Sequence, residues 1–210
     1  EFQNKVMRPF LEMLSAKTTK GISAGGIDNI SYTQAYTMIT NHRDIVLDAS
    51  LLNLSLLRAG QRTTEVAIGD NLLIYPWIEK LVRLNKAFIV RRSLTPREMY
   101  KSSKLMSEYI HFAVDEKREN IWIAQREGRA KDSSDHTQPS VLKMLAMGGE
   151  GTFIECLKPL NIVPLTISYE YDPCDYLKAK EFQLKRDDPK YRKSRKDDLE
   201  NMKTGIMGFK

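Results

Sequence analysis

"AYTMITNHRDIVLDASLLNLSLLRAG", residues 35–60, holds a short β-capable run, a polar turn and a longer apolar run that stops at glycine. "AYTMIT" (35–40) has the length and composition of a strand. "IVLDASLLNLSLLRAG" (45–60) has helix length and ends at Gly60. Strand, turn and helix in succession form a βα unit, whose repetition builds α/β sheets. The turn carries His42, with Asp44 and Asp48 close behind. A histidine is the side chain best suited to take a proton near neutral pH. A nearby carboxylate holds its tautomer and stabilises the imidazolium that forms. By proximity alone either Asp44 or Asp48 serves. The competing structural reading is a His42 bonded to a loop carbonyl and an Asp44 that caps the helix.

The same alternation continues outward. "FQNKVMRPFLEMLSAK" (2–17) has helical apolar spacing at Phe2, Val6, Phe10, Met13 and Leu14. "NLLIYPWIEKLVRL" (71–84) reads as a helix with Pro76 at a break or first turn. "KAFIVRR" (86–92) and "NIWIAQ" (120–125) read as buried strands. "TPREMYKSSKLMSEYIHFAVDEK" (95–117) opens with Thr95 as N-cap and Pro96 as first helical residue. "QPSVLKMLAMGG" (138–149) is a helix ended by glycines. "GTFIECLKPL" (151–160) is helical and "IVPLTISYEY" (162–171) a strand. The expectation is an α/β fold, a mixed β-sheet flanked by helices on both faces. The chain divides into an N-terminal helical segment (1–30), an α/β core (31–173) and a basic C-terminal helical segment of the same domain (174–210). Polar clusters follow three strands: His42, then Arg91 and Arg92, then Arg126 to Arg129. Ligands in α/β sheets bind where strands end, so three strand ends are expected to converge on one site.

Composition narrows the function classes. The 210 residues are 41% hydrophobic and 29% charged, enough for one sizeable core. No stretch approaches the roughly 20 apolar residues of a membrane span, and no signal peptide is visible. Two cysteines, Cys156 and Cys174, make no disulfide framework and suggest a reducing, cytoplasmic setting, with ordinary buried thiols rather than nucleophiles. Three scattered histidines give no metal-ligand spacing, and no metal or cofactor is expected. The chain opens on Glu1 rather than Met and stops at "TGIMGFK", as a fragment would. The net charge is +6, and residues 176–203 carry ten Lys and Arg against six Asp and Glu. Such a surface suits an anionic membrane or an acidic protein. Nucleic acid is not the expected partner.

"IAQREGRAKD" (123–132) follows a strand with Arg126, Glu127, Gly128, Arg129 and Lys131. Gly128 permits a tight turn, and arginines grip a phosphate in forked geometry. "NHRDIVLD", "AFIVRR", "IAQREGRAKD" and "NIVPLTISYEY" fall in the order of the four signature blocks of the glycerolipid acyltransferases. "REGRAKD" followed by "TQPSVLKML" resembles a bacterial glycerol acyltransferase branch. The resemblance implies a fold like that of the glycerol-3-phosphate acyltransferases. It implies transfer of a fatty acyl group from a thioester to a hydroxyl of a glycerol phosphate or lysophospholipid. The thioester is a co-substrate, on coenzyme A or acyl carrier protein. His42 resembles the family's general base. Arg91 and Arg92 fall where a basic residue contacts the glycerol phosphate. Glu127, Gly128 and Arg129 fall in the acceptor-binding block, with Lys131 beside them. Pro164 falls in the block that shapes the wall of the site. Two departures stand out. The family's first block is H-x4-D, yet position 47 is Leu47 and the acid follows at Asp48, which is favoured over Asp44 at the cost of a one-residue bulge. The third block is usually E-G-x-R, yet Arg129 directly follows Gly128. A lipid product and a chain with no spanning helix lead to an expectation of peripheral attachment to the cytoplasmic face of a membrane, through an apolar patch beside the site and the basic 176–203 segment. The alternatives are an acyltransferase of another lipid acceptor, a thioesterase using the same pair on water, and a non-catalytic basic module.

Overall fold

Short apolar runs separated by helices leave the chain one economical arrangement, because each helix carries it back to begin the next strand in the same direction. In a computed structural model, residues 1–207 are described apart from 74, 93, 127, 132 and 133; for 195, 196, 206 and 207 the backbone alone is described. Five strands are present among the described residues: β1 (Thr37–Thr40), β2 (Thr64–Gly69), β3 (Ala87–Val90), β4 (Asn120–Ala124) and β5 (Ile162–Leu165). Their order is β3-β2-β4-β1-β5. Every neighbouring pair is parallel, so the expected mixed sheet is corrected to an all-parallel one. The physical reason lies in the connections. α2 (Leu47–Arg58) joins β1 to β2, α3 (Pro76–Leu84) joins β2 to β3 and α4 (Pro96–Asp115) joins β3 to β4. α5 (Pro139–Ala146) and α6 (Phe153–Leu157) join β4 to β5. Among the described residues no hairpin intervenes to reverse a strand. α1 (Arg8–Thr18) precedes the sheet, and α7 (Asp175–Asp187) and α8 (Arg195–Met207) follow it.

Alternation along the central strands divides the core in two. Ile39, Ile121 and Ile123 point to one face, where they pack with Ile110, Ala113 and Val114 of α4 and Met144 and Leu145 of α5. Met38 and Trp122 point to the other face, where α2 supplies Ala49, Leu52 and Leu56. α4 starts as its sequence dictates. Thr95 caps it, with a reciprocal Glu98 bond, and Pro96 takes the first helical position. Gly148, just past α5, is demanded by close approach: a Cβ there would lie 2.7 Å from the Ser107 and Glu108 backbone of α4. Its N–H donates to Ser107 Oγ at 2.8 Å.

Three expectations change. β2, "TEVAIG", was not read as a strand; its Glu65 interrupts the apolar pattern, yet is buried as an acceptor of Tyr109 Oη (2.5 Å) and Lys117 Nζ (2.6 Å). The strand expected over 162–171 ends at Leu165, because Asn41 takes both backbone groups of Ile167: Ile167 N donates to Asn41 Oδ1 (2.8 Å), and Asn41 Nδ2 donates to Ile167 O (2.9 Å). β3 is a half-buried edge strand rather than a buried one. In α1 the fold buries Leu11 and Ser15 and turns Phe10 and Met13 outward, as it does Val6 just before the helix.

Candidate active site

The polar turn after β1 is built around one carboxylate. Asp48 lies in the first turn of α2 and is fully buried. Its Oδ2 accepts the backbone N–H of Arg43 (2.7 Å) and of Asp44 (2.9 Å), and sits 3.0 Å from His42 Nδ1. Its Oδ1 accepts the hydroxyl of Tyr169 at 2.9 Å. Four groups thus fix both oxygens. His42 Nδ1–H donating to Asp48 leaves Nε2 as the ring nitrogen able to accept a proton. Trp122 holds the ring from the side, edge to face at 6.1 Å between centroids. The indole is itself anchored, its Nε1–H donating to Thr40 Oγ1 at 3.0 Å.

Asp44 has a different place. Its Oδ1 accepts from Val46 N and Leu47 N, both at 2.9 Å, and so closes the start of α2. The carboxylate that faces His42 is therefore that of Asp48, five residues intervening. The extra residue is absorbed by the turn over Asp44, which lets Asp48 reach back to the ring. The other oxygen of Asp44 lies 4.0 Å from Arg129 Nη1. Arg129 is 5% exposed, and its neighbours include Cys174 as well as Asp44. Burial, and then the Asp44 charge, push the Cys174 thiol up. Cys174 Sγ donates to Asn201 O of α8 at 3.1 Å.

The loop after β4 joins the turn after β1, as adjacent strand ends require: Ala130 N donates to His42 O at 3.0 Å. Gly128 adopts φ +72, the left-handed conformation its turn needs. Lys131 lies 3.4 Å from Glu181 of α7, and burial pushes its ammonium pKa down. Glu127 lies outside the described residues. Arg91 and Arg92 follow β3, which is three strand steps from β1, roughly 14 Å across a sheet. The convergence expected of three strand ends therefore holds for two of them. Arg92 narrows the gap: its backbone N–H donates to Asp70 Oδ1 (3.1 Å), and its side chain lies across Gly69 at the end of β2. Pro164 pairs with Ile39 on edge strand β5, a position that tolerates a missing N–H.

Pro164 lines a groove of about 1100 Å³ between residues 17–30, α2 and the 163–171 segment. Asp48 and Tyr169 also line it, so the buried carboxylate links the groove to His42. Leu51, Leu52, Leu56, Val163 and Leu165 give it apolar walls. Its size is at the upper end of small-molecule pockets.

Sequence reasoning missed three supports. Tyr169 lay inside the quoted fourth block, but as part of a supposed strand it had no distinct role. Burial and the Asp48 charge raise its pKa far above the ordinary tyrosine value, so it remains a donor. Arg43, next to the histidine, pairs with Asp135 (3.4 Å) and with Asp172. Asn41, as described, ties the turn to the segment carrying Tyr169. The polar run "TNHRD" was the available signal: Asn41 and Arg43 carry side chains whose partners, at Ile167, Asp135 and Asp172, lie far along the chain.

The strand ends thus define an α/β protein whose polar, hydrogen-bonded centre sits at the carboxyl edge of a parallel sheet. A family model described as Acyltransferase matches residues 21–168, well over half of the chain. The chain belongs to that family, the glycerolipid acyltransferases, enzymes that transfer acyl groups. No curated protein and no solved structure matches it.

Proposed function

We propose that the protein transfers a fatty acyl group from a thioester, on coenzyme A or acyl carrier protein, to a hydroxyl of a glycerol phosphate or lysophospholipid. The observation that carries this reading is the His42–Asp48 pair at 3.0 Å inside the matched acyltransferase region. His42 Nε2 takes the acceptor's hydroxyl proton as that oxygen attacks the thioester carbonyl. The tetrahedral adduct then collapses, the C–S bond breaks, and the departing thiolate takes the proton from the imidazolium to leave as a thiol. Asp48 stabilises the imidazolium throughout, and Tyr169 holds Asp48. No covalent enzyme intermediate is needed, since positioning the alcohol against the thioester supplies most of what a nucleophile would. The acceptor's phosphate is read by cations at the strand ends, Arg91, Arg92, Arg129 and Lys131, with Gly128 in the loop after β4 and Glu127 as its neighbour in sequence. The groove beside Pro164, with its apolar walls, accommodates an acyl chain.

Residues 1–30, 31–173 and 174–210 are read as one domain with terminal helical segments; the bond from Asn71 Nδ2 to Asp198 Oδ2 (3.3 Å) and the Lys131–Glu181 pair (3.4 Å) support the last assignment. No helix among the described residues is long and apolar enough to cross a membrane. A lipid product then has to be exchanged with a bilayer from one side, which is the basis for reading the protein as peripheral on the cytoplasmic face.

The test is a panel of glycerol phosphates and lysophospholipids offered with an acyl thioester. An ester product from one acceptor class is expected, with His42→Ala reducing turnover roughly 10²- to 10⁴-fold in a folded protein. Thioester consumption without an acceptor-dependent ester would make the protein a thioesterase. A folded His42→Ala with normal turnover would remove His42 as the base.

A further inference from the structure

α3 is more amphipathic than its packing requires. Its apolar residues cover about half of the helix circumference, yet the fold uses only one side of that arc. Ile78 is 4% exposed, whereas Trp77, Leu81 and Leu84 are 61%, 40% and 59% exposed. Those three are spaced i, i+4 and i+7, one continuous stripe facing away from the sheet. Tyr75 extends it at the helix start, its ring stacked on Trp77 at 6.5 Å and 9°. Tyr75 and Trp77 stand at the α3 end that follows the carboxyl edge of β2, the edge on which His42 also lies.

What covers this stripe is indicated by charge. Residues 73–105, which comprise α3, β3 and the first half of α4, carry eight Lys and Arg against two Glu. That balance of +6 equals the formal net charge of the whole chain, so the remaining residues sum to zero. The C-terminal segment is basic as well, but many of its lysines are engaged: Lys178 pairs with Asp172, Lys185 and Lys193 with Glu181, and Lys203 with Glu200. The N-terminal helical stretch ending in α1 presents a second outward stripe, Val6, Phe10 and Met13, but its cations Lys5 and Arg8 pair with Glu1 and Glu12. At α3 an exposed aromatic stripe adjoins the stretch that carries the chain's net charge; Arg83, Lys86 and Lys104 there are paired with Glu79, Glu119 and Glu108, while Lys80, Arg97 and Lys101 are exposed. Aromatic rings and leucines along one side with Lys and Arg flanking them are what an interfacial helix uses to lie in an anionic bilayer surface.

We propose that α3 seats the protein on an anionic membrane, Trp77, Leu81 and Leu84 entering the interface while the exposed Lys80, Arg97 and Lys101 meet the headgroups. The acyl-transfer reading gives this surface its purpose, but the binding itself needs no turnover, and the two are tested separately.

Vesicles of phosphatidylglycerol and phosphatidylcholine are compared with phosphatidylcholine alone, by sedimentation and tryptophan fluorescence. The chain has two tryptophans, and Trp122 is already buried, so an emission shift reports Trp77. Expected are binding to the anionic vesicles at low salt and a blue shift that Trp77→Phe abolishes. Trp77→Ser with Leu81→Ser and Leu84→Ser should weaken binding on the order of tenfold or more, while turnover of a short-chain, water-soluble acceptor persists. Lys80→Glu with Lys101→Glu, which leave the stripe intact, should weaken binding to anionic vesicles should the serine variant not fold. His42→Ala should bind vesicles as the parent does; its loss of turnover bears only on the acyl-transfer reading. No binding at low salt overturns the proposal. So does full binding by both α3 variants, or loss of binding on Phe10→Ser alone. A parent dimer that the serine variant dissolves, without vesicle binding, makes the stripe a contact between copies and also overturns it.

Discussion

At the scale of single residues, the site depends on one carboxylate with four partners. Asp48 holds His42, two backbone N–H groups and the Tyr169 hydroxyl, while Asp44 closes the first turn of α2. The two aspartates should therefore fail differently. Asp48→Asn should cut turnover by orders of magnitude, since an amide cannot stabilise the imidazolium. Asp44→Asn should leave turnover within a few fold and cost about 1 kcal/mol of stability at most, because asparagine caps helices nearly as well. Steady-state rates and thermal melts of the two variants check the ranking, and the reverse order would move the role to Asp44. Tyr169→Phe removes one charge-assisted bond to Asp48. It should lower kcat about tenfold with little change in the acceptor's KM. A tyrosine that merely filled space would leave kcat alone. The candidate base and its two possible acids were legible in "NHRDIVLD"; the choice between the acids required the turn's geometry. Tyr169 was invisible as a partner, because 121 residues separate it from Asp48.

At the scale of elements, local chemistry placed most boundaries. Thr95 with Pro96 and Pro76 mark helix starts, and the glycines after residue 146 mark an end. β2 escaped because its pattern is broken by Glu65, whose burial is satisfied by Tyr109 and Lys117 of another element. The overlong β5 has the opposite cause: residues 166–171 alternate as a strand would, but a side chain, Asn41, has taken the backbone groups that a ladder needs. Sheet direction was equally out of reach, since parallel order follows from the crossovers and not from any one strand. The turn between α5 and α6 gives the sharpest element-scale prediction. Gly148→Ala forces a methyl to within 2.7 Å of the α4 backbone, with no flexible side chain to yield. The loss should be about 3 kcal/mol, read as a lowered denaturation midpoint. A neutral result would mean that α4 and α5 move apart at little cost.

At the scale of the whole molecule, charge is organised into two very different regions. The C-terminal helices are tied inward: Glu181 of α7 lies 2.9 Å from Lys185, 3.4 Å from Lys131 and 3.6 Å from Lys193. Burial raises its carboxyl pKa, but the lysines outweigh this and hold it below its ordinary value of 4.5. A carboxyl with a lowered folded pKa contributes stability that is whole above the ordinary value and is lost as pH falls through the lowered one. Melting temperatures below about pH 4.5 should accordingly fall more steeply for the parent than for Glu181→Gln; parallel curves would show that the cluster contributes nothing. The region of residues 73–105 differs in that it carries a formal +6 while the rest of the chain sums to zero, although Arg83, Lys86 and Lys104 are paired with Glu79, Glu119 and Glu108. The centre of charge is thus displaced from the centre of mass toward the β3 edge, and a charged plane exerts a torque on such a body. The torque acts within roughly 10 Å of the plane at physiological ionic strength, so the protein turns before it touches. Arrival and orientation become a single event, and added salt should lengthen the search for the correct pose more than it loosens a pose already reached.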